Sequence, residues 1–186
     1  PLNTTIDVQN PHLLKIGNHV MITGPVTILT HDYSWSVLKK KYGEILGNQK
    51  ETVLEDNIFI GWGATILAGS HIGSNSIIGA GSIVSGKLEG DAVYAGNPAH
   101  KIMSIEDYYI KRRKKQLSEA INYVNCYKKC YGCNPSIDKL DEYFKVWFEM
   151  FLKHPMVYIE ATLNNTFSYY YPFYNEKVLG DYQFYI

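Results

Sequence analysis

The amino-acid sequence predicts a mainly β fold in which short strands coil into a three-sided prism. Two observations predict it: an aliphatic residue recurs every six positions, and a small or β-branched residue follows most of these at a fixed distance. A period of six fits neither the 3.6-residue repeat of a helix nor the two-residue alternation of a strand. It fits a coil in which each hexapeptide supplies one flat face and three faces complete one turn.

The hexapeptides fall into two runs. The aliphatic positions of the two runs are Ile16, Ile22 and Ile28, and then Leu54, Ile60, Ile66, Ile72, Ile78 and Val84. The smaller side chains four residues after most of them are Val20, Val26, Ile58, Ala64, Ser70, Ser76 and Ser82. Stacked turns are expected to bring the aliphatic side chains into one continuous core. The alternative, an ordinary β-sandwich of alternating strands, does not explain a strict period of six.

The register of the hexapeptides breaks between the two runs. Ile28 and Leu54 are 26 residues apart, which is not a multiple of six. The segment at about 33–53 is therefore expected to leave the prism as an extruded loop. This segment is aromatic and basic, and it comes directly after His31 and Asp32. Long loops in compact domains are usually functional or disordered, and this mixed chemistry directly after a histidine favours a functional role.

Composition excludes several classes of protein. Eighteen Lys and Arg balance eighteen Asp and Glu, whereas a protein that binds nucleic acid through bulk charge has a basic excess. The longest apolar runs are too short for a membrane span, and no secretion leader is evident, so we expect a cytoplasmic protein. Three cysteines suit a reducing compartment. Cys126, Cys130 and Cys133 lack a convincing fourth ligand, so we expect no metal.

Residues beyond the hexapeptides predict a helical extension. A helix is expected over Ile105–Tyr131, with an apolar stripe at Leu117, Ile121, Val124 and Tyr131. A second helix is expected from near Ser136 to about Phe151, after a turn at 132–135. The two helices would form a hairpin over the open end of the prism, where exposed strand edges otherwise invite aggregation.

The sequence therefore divides into three parts. Residues 1–103 form the predicted prism domain, residues 104–153 the helical extension, and residues 154–186 a segment of different composition. Ten of the 32 residues at 155–186 are Tyr or Phe. Such aromatic density is typical of a packing surface or a recognition surface, including one that binds sugars. The sequence leaves these alternatives open.

Two segments beside the hexapeptides carry a resemblance to a known family. The segment Ile28–Trp35 and the closing segment Tyr94–Ile102, together with the repeats, resemble the hexapeptide-repeat acyltransferases. Within them, the sequence is most similar to sugar and capsular-polysaccharide O-acetyltransferases related to maltose and galactoside acetyltransferases. The prism resemblance covers about residues 6–103. It implies a left-handed parallel β-helix, a homotrimer with an active site in each cleft between neighbouring subunits, and direct acetyl transfer from acetyl-CoA to a hydroxyl.

His31 matches the catalytic histidine of that family. A hydroxyl is a poor nucleophile at neutral pH, so its attack on a thioester needs a base, and an imidazole is suited to that task. His31 ends an in-register hexapeptide beside the extruded loop, where Asp32, Tyr33 and Trp35 are predicted to help bind the acceptor. Asp32 has three open interpretations: it orients the imidazole, binds sugar hydroxyls, or forms a turn.

Six residues are predicted to bind the coenzyme. By position in the family motif, the coenzyme-contacting places are Trp62, Ala80, Ser85 and Gly86. After Pro98-Ala99 the family usually has a basic residue, whereas this sequence has His100 and then Lys101. Lys101 is expected to reach a phosphate, and His100 to contribute charge only when it is protonated.

The sequence thus predicts an acetyl-CoA-dependent O-acetyltransferase that acts on a hydroxyl of a sugar or polysaccharide precursor, with His31 as general base. The expected partners are a small-molecule or oligosaccharide acceptor and two further copies of the chain, without nucleic acid. Two alternatives remain open: N-acetylation of an amino sugar or an antibiotic, and a non-catalytic β-helix scaffold. A scaffold without catalysis needs neither His31 nor an extruded loop directly after it, so these two features argue against that alternative.

Overall fold

The computed structural model describes residues 4–133 and 135 of the 186-residue chain. The chain divides into two compact units, Pro1–Arg113 and Lys114–Ile186. The strands of the described residues are short and lie in the first unit. They are β1 (Thr5–Ile6), β2 (Leu14–Ile16), β3 (Val20–Ile22), β4 (Thr27–Ile28), β5 (His31–Asp32), β6 (Asn48–Gln49), β7 (Thr52–Leu54), β8 (Ile58–Ile60), β9 (Thr65–Ile66), β10 (His71–Ile72), β11 (Ser76–Ile78), β12 (Ile83–Val84), β13 (Lys87–Leu88), β14 (Ala92–Ala95) and β15 (His100–Ser104).

The strands form three parallel sheets that the chain visits in a fixed rotation. Sheet A has the order β1-β4-β9-β12, sheet B the order β2-β7-β10-β13, and sheet C the order β3-β8-β11-β14, with β15 added antiparallel at its end. Paired residues of neighbouring turns, such as Phe59 and Ile77, are eighteen positions apart in the repeat region. One turn therefore takes three hexapeptides, and the predicted mainly β fold with parallel strands is confirmed.

The core is a column of aliphatic side chains between the three sheets. Its fully buried members are Val26, Ile28, Leu54, Ile58, Ile60, Ala64, Ile66, Ile72, Ile78 and Val84. Each large aliphatic side chain contributes about 1.5–3 kcal/mol when it is fully buried. The serines of the repeat are buried as well, because each hydroxyl of Ser70 and Ser76 donates to a backbone carbonyl three residues earlier. The core positions predicted by the second run of hexapeptides are confirmed.

The prediction was wrong for Ile16, which is 43% exposed instead of lying in the core. Ile16 belongs to β2, the edge strand of sheet B, so only β7 covers it along the stacking direction. The period of six places a side chain on the inward face of a strand. It does not show whether another turn covers that strand.

The segment between β5 and β7 leaves the rotation and forms secondary structure of its own. Helix α1 (Trp35–Tyr42) ends at Gly43, whose φ of 81° is the left-handed conformation that favours glycine. Strand β6 then pairs antiparallel with β5 and returns the chain to the coil. A 3₁₀ helix (Pro11–Leu13) makes a smaller insertion between β1 and β2.

Helix α2 (Ile105–Tyr131) has the bounds that the sequence predicts. Its start is fixed by Ser104 as N-cap residue, because the Ser104 hydroxyl accepts the Asp107 N–H at 3.0 Å and donates to the Asp107 carboxylate at 2.6 Å. Its end is fixed by Gly132, whose φ is 70° and whose N–H donates to the Lys128 carbonyl.

The apolar stripe predicted on α2 is confirmed only in part. Val124 is buried, but Tyr131, the last residue of the helix, is exposed. The Tyr131 ring packs on Tyr127 one turn earlier. The side chains of Leu117 and Ile121 are not among those that the structure describes. The predicted second helix, its hairpin packing over the prism and the aromatic segment at 154–186 also lie outside the described residues.

Candidate active site

The imidazole of His31 is paired with a carboxylate from the preceding turn. Its Nδ1 lies 2.5 Å from Oδ2 of Asp7. Ile6 of β1 pairs with Ile28 of β4, so the residues that follow these two strands meet at the same corner of sheet A. The Asp7 side chain is buried, and that of His31 is 13% exposed. Asp7 is therefore enclosed by the protein, and His31 is the member of the pair that reaches the surface.

Asp7 is ionised at neutral pH. Burial raises the pKa of its carboxyl, but hydrogen bonds from the Thr30 hydroxyl, the N–H groups of Thr30 and Gln9, and His31 outweigh burial and lower the pKa from 3.8 to about 2. An ionised carboxylate only accepts hydrogen bonds, so Nδ1 of His31 must carry the proton. This tautomer makes Nε2 the nitrogen that can accept a proton, which is the atom a general base needs.

Aromatic rings hold the imidazole in place. The Tyr33 ring meets the His31 ring edge to face, with centroids 5.2 Å apart, and the Trp35 ring lies 6.0 Å from that of Tyr33. The Tyr33 hydroxyl donates to the Gln9 side chain at 2.9 Å, which ties the loop to the segment that carries Asp7. Within residues 4–133, Nε2 of His31 has no hydrogen-bond partner, so it is available to a substrate.

Asp32 holds the extruded segment and not the imidazole. Its Oδ1 accepts the Ser34 N–H at 2.9 Å, and its Oδ2 accepts the side-chain amide of Asn48 on β6. Hydrogen bonds from Ser34 and Asn48, together with the positive charge of Lys50, lower the pKa of the Asp32 carboxyl. Of the three interpretations open in the sequence, turn formation describes these contacts, and the orienting role belongs to Asp7.

Four of the residues predicted to contact the coenzyme lie at two corners that flank sheet A. Trp62 and Ala80 are stacked on Gly24 at the corner before the sheet, since Thr27 pairs with Thr65 and Thr65 with Ile83. Trp62 is 64% exposed, and a Cβ at Gly24 would lie 2.0 Å from its ring. Ser85 and Gly86 stand exposed at the corner after the sheet, where a Cβ on Gly86 would meet nothing within 4 Å.

His100 and Lys101 begin β15, and both are exposed. The preceding residue, Ala99, donates its N–H to the Ile83 carbonyl of β12, the strand between the two corners. Nδ1 of His100 approaches the Pro98 carbonyl at 3.4 Å, and Lys101 pairs with Tyr94 across sheet C. Among the described residues, no hydrogen bond or ring contact joins the six predicted coenzyme residues to His31. The coenzyme role of these residues stays a prediction.

The sequence reasoning missed Asp7, although the sequence contains a signal for it. The pairs Thr5-Ile6, Thr27-Ile28 and Thr65-Ile66 occupy equivalent positions in sheet A. Leucine follows the second and third pairs, whereas aspartate follows the first. Serine follows the fourth pair, Ile83-Val84, so the carboxylate is the charged side chain among four equivalent positions, which indicates a specific role. The 3₁₀ insertion hid this turn, because it breaks the count of six before Ile16.

No group of three or more metal-ligating side chains comes together within 4–133 and 135. Neither α-helix in the described part of the chain combines the length and the apolar character needed to cross a bilayer. The thiols of Cys126, Cys130 and Cys133 are exposed and unpaired.

Comparison with known proteins decides the family. No family model matches the chain. Protein CapG of Staphylococcus aureus is 41% identical over 127 residues, which are 68% of this chain and 72% of CapG. The galactoside O-acetyltransferase of Lactococcus lactis is 37% identical over 92 residues, and that of Escherichia coli is 32% identical over 120 residues. This chain belongs to the hexapeptide-repeat acetyltransferases.

The similarity covers only part of the length of the two galactoside O-acetyltransferases. This hexapeptide-repeat chain spans 44% of the Lactococcus lactis enzyme and 58% of the Escherichia coli enzyme. A hexapeptide-repeat acetyltransferase of Vibrio cholerae, solved with acetyl coenzyme A, is 30% identical, covers 49% of each chain and has a TM-score of 0.43. A galactoside acetyltransferase solved with coenzyme A is 32% identical, covers 51% of this chain and 46% of its own, and has a TM-score of 0.42.

Proposed function

We propose that this chain is an acetyl-CoA-dependent O-acetyltransferase that acetylates a hydroxyl of a sugar or polysaccharide precursor, with His31 as general base. The observation that carries the proposal is the pair of Asp7 and His31, in which Nδ1 faces the carboxylate and Nε2 has no partner within residues 4–133. Membership of the acetyltransferase family supports the reaction, and relatives named galactoside O-acetyltransferases support a sugar hydroxyl as acceptor.

The proposed reaction is one direct transfer. Nε2 of His31 takes the proton of the acceptor hydroxyl while the oxygen attacks the thioester carbonyl of acetyl-CoA. The tetrahedral intermediate collapses, its C–S bond breaks, and the leaving thiolate takes the proton back from the imidazolium. The ionised Asp7 stabilises the imidazolium and keeps the ring in the required tautomer, as the aspartate of a catalytic triad does.

The coenzyme is proposed to lie along the flanks of sheet A. The exposed Trp62 and Ala80 at one corner, and Ser85 and Gly86 at the other, would line its pantetheine arm, while His100 and Lys101 would meet its phosphates. The open space beside Gly86 and the exposure of Trp62 support this path. Small residues at these corners let a ligand approach the backbone amides closely.

The active molecule is proposed to be a homotrimer of left-handed parallel β-helices. Met21 and Phe59 are 56% and 37% exposed, and with Ile77 they form an apolar row across the outer face of sheet C. An exposed apolar row on a sheet is typical of a subunit contact. A subunit cleft would also bring coenzyme residues of one chain to His31 of another.

The domain division is proposed as the sequence predicts it. Residues 1–103 form the β-helix domain with a loop at about 33–53, residues 104–153 a helical extension, and residues 154–186 a further segment.

The proposed location is the cytoplasm, and the three unpaired thiols support it, since exposed cysteines stay reduced there.

The experiment that tests the function is coenzyme A release from acetyl-CoA, followed with a thiol-reactive dye over a panel of neutral, acidic and amino sugars. His31→Ala is expected to lower sugar-dependent release by about two to four orders of magnitude. His71→Ala is the matched control, because His71 is also paired with a carboxylate, Glu55 at 2.7 Å, but lies on sheet B. We expect this control to keep the full rate.

Two results would contradict the proposal. Release that occurs only with amino sugars would show an N-acetyltransferase. The absence of both release and acetyl-CoA binding, the latter measured by calorimetry, would favour a non-catalytic scaffold.

A further inference from the structure

Gln49 lies directly opposite His31 in the small antiparallel sheet of the extruded segment. Strands β5 and β6 pair in the register His31 with Gln49 and Asp32 with Asn48. Residues directly opposite each other in an antiparallel pair have their side chains on the same face, with Cβ atoms about 4.5–5.5 Å apart. The backbone register therefore places the Gln49 side chain next to the candidate base, although helix α1 lies between the two residues in the sequence.

The other pair of this sheet shows that the register brings side chains into contact. Asn48 donates its side-chain amide to Oδ2 of Asp32. Successive residues of a strand point to opposite faces, so His31 and Gln49 share the face that Asp32 and Asn48 do not occupy. The ring of Tyr33, two residues after His31, packs on the imidazole with centroids 5.2 Å apart, in agreement with this alternation.

The known contacts of the imidazole leave Gln49 unused. Asp7 binds Nδ1 of His31, and the Tyr33 hydroxyl donates to Gln9 instead of Gln49. Gln49 is exposed, and its carboxamide forms no hydrogen bond within residues 4–133. Nε2 of His31 has no partner in the same part of the chain. The two side chains can therefore bind the same ligand.

A carboxamide is suited to a hydroxyl as its ligand. It donates through its nitrogen and accepts through its oxygen, and a hydroxyl also does both. It carries no charge, so it forms no ion pair with a phosphate or carboxylate. In a sugar ring, neighbouring carbons carry neighbouring hydroxyls, so one sugar can present one hydroxyl to Nε2 of His31 and the next to Gln49.

We infer that Gln49 is an acceptor-binding residue that hydrogen-bonds the hydroxyl next to the one that is acetylated, which makes the acceptor a sugar with two adjacent hydroxyls. This inference rests on the proposed function. Gln49 takes no part in the proton transfer, which belongs to His31. It determines which hydroxyl of the sugar reaches Nε2.

The inference is tested by the kinetics of coenzyme A release with the sugar of the panel that gives the fastest release, and with analogues in which hydrogen replaces one hydroxyl at a time. Gln49→Met keeps the length of the side chain and removes its hydrogen bonds. With the parent sugar it is expected to lower kcat/KM at least about tenfold. One deoxy analogue should cause the same loss in the wild-type protein, and the variant and the wild-type protein should use that analogue equally well.

Two readouts separate acceptor binding from a structural effect. The KM for acetyl-CoA and the pH dependence of kcat are expected to stay at their wild-type values in Gln49→Met, because the base and its carboxylate are untouched. Gln116→Met is the matched control, a glutamine of helix α2 that has no role in the proposed site. This control should behave as the wild-type protein with every sugar.

Three outcomes would overturn the inference. Gln49→Met that uses the parent sugar as well as the wild-type protein does would show that Gln49 does not bind the acceptor. A loss of equal size with the parent sugar and with every deoxy analogue would indicate a general effect on folding. A shifted pH dependence of kcat would show that Gln49 acts through His31.

The failure of this inference and the failure of the proposed function give different results. Sugar-dependent release that requires His31 but not Gln49 refutes the role of Gln49 alone. The absence of release with every sugar, together with no binding of acetyl-CoA, refutes the acetyltransferase function, and with it the acceptor that Gln49 would bind.

Discussion

At the scale of single residues, the candidate site depends on a carboxylate that is 24 positions from the base it holds. Asp7 is buried and accepts hydrogen bonds from Thr30, Gln9 and His31, so it stays ionised and fixes one tautomer of the imidazole. His71 and Glu55 repeat the same pairing on sheet B, but there both side chains are about two-fifths exposed. Burial therefore distinguishes the candidate catalytic pair from an ordinary surface pair.

The role of Asp7 can be tested by Asp7→Asn. The amide holds the imidazole without a charge and permits the wrong tautomer, so kcat is expected to fall by about three to four orders of magnitude while the KM for acetyl-CoA stays within a factor of about two. Glu55→Gln is the control and should leave kcat unchanged. An equal loss of kcat in both variants would indicate a general effect on folding.

Asp7 also makes stability depend on pH. Its pKa is lowered from 3.8 in the unfolded chain to about 2, so its contribution to stability is complete above pH 4 and is lost as the pH falls from about 4 to 2. The melting temperature of Asp7→Asn should therefore depend less on pH over this interval than that of the wild-type protein. Parallel melting curves from pH 5 to 2 would contradict the assignment.

At the scale of elements, each hexapeptide strand is stable only within the stack. No two- or three-residue strand buries more than two aliphatic side chains, so the continuous column supplies the core. The residues at the corners of the prism determine how closely neighbouring turns can approach each other. Gly24, for example, is left-handed and lies under the Trp62 ring, so the corner accepts no side chain there.

Core and edge positions of the repeat should respond differently to truncation. Ile66→Ala leaves a cavity in the column and is expected to lower the free energy of unfolding by about 2–5 kcal/mol. Ile16→Ala removes the same atoms from a partly exposed edge strand and should cost less than about 1.5 kcal/mol. Chemical denaturation measures both values, and equal losses would show that Ile16 is covered in solution.

The Gly24 corner offers a test of the proposed coenzyme path. Gly24→Ala puts a methyl group within 2.0 Å of the Trp62 ring and should displace it, raising the KM for acetyl-CoA while kcat at saturation changes little. Gly47→Ala is the control, since a Cβ there meets nothing within 4 Å. A KM that stays unchanged although the Trp62 fluorescence changes would remove Trp62 from the coenzyme site.

At the scale of the whole molecule, the residues assigned to the base and those assigned to the coenzyme do not contact one another within the described residues of one chain. Around His31 the described residues supply a candidate base and its carboxylate. The apolar row of Met21, Phe59 and Ile77 lies on another face, sheet C. A molecule with such separate surfaces is expected to act as an assembly.

Assembly can be tested on that row. Phe59→Glu places a charge in the proposed contact. Sedimentation is expected to show a trimer for the wild-type protein and a monomer with little acetyltransferase activity for the variant. Lys87→Glu, on the outer face of sheet B, should stay trimeric. A wild-type protein that sediments as an active monomer would refute the proposed assembly.

The sequence by itself determined the strands, the three-sheet repeat and most of the core, because a period of six records the inward face of each turn locally. It also indicated His31, which ends a hexapeptide at the point where the register breaks. It did not determine the contacts that hold this residue. Asp7 meets His31, and Lys50 meets Thr30, only because stacked turns and paired strands bring together residues about 20 positions apart. The insertions between those residues obey no period, so only the tertiary structure decided which polar side chains meet and which edge positions stay exposed.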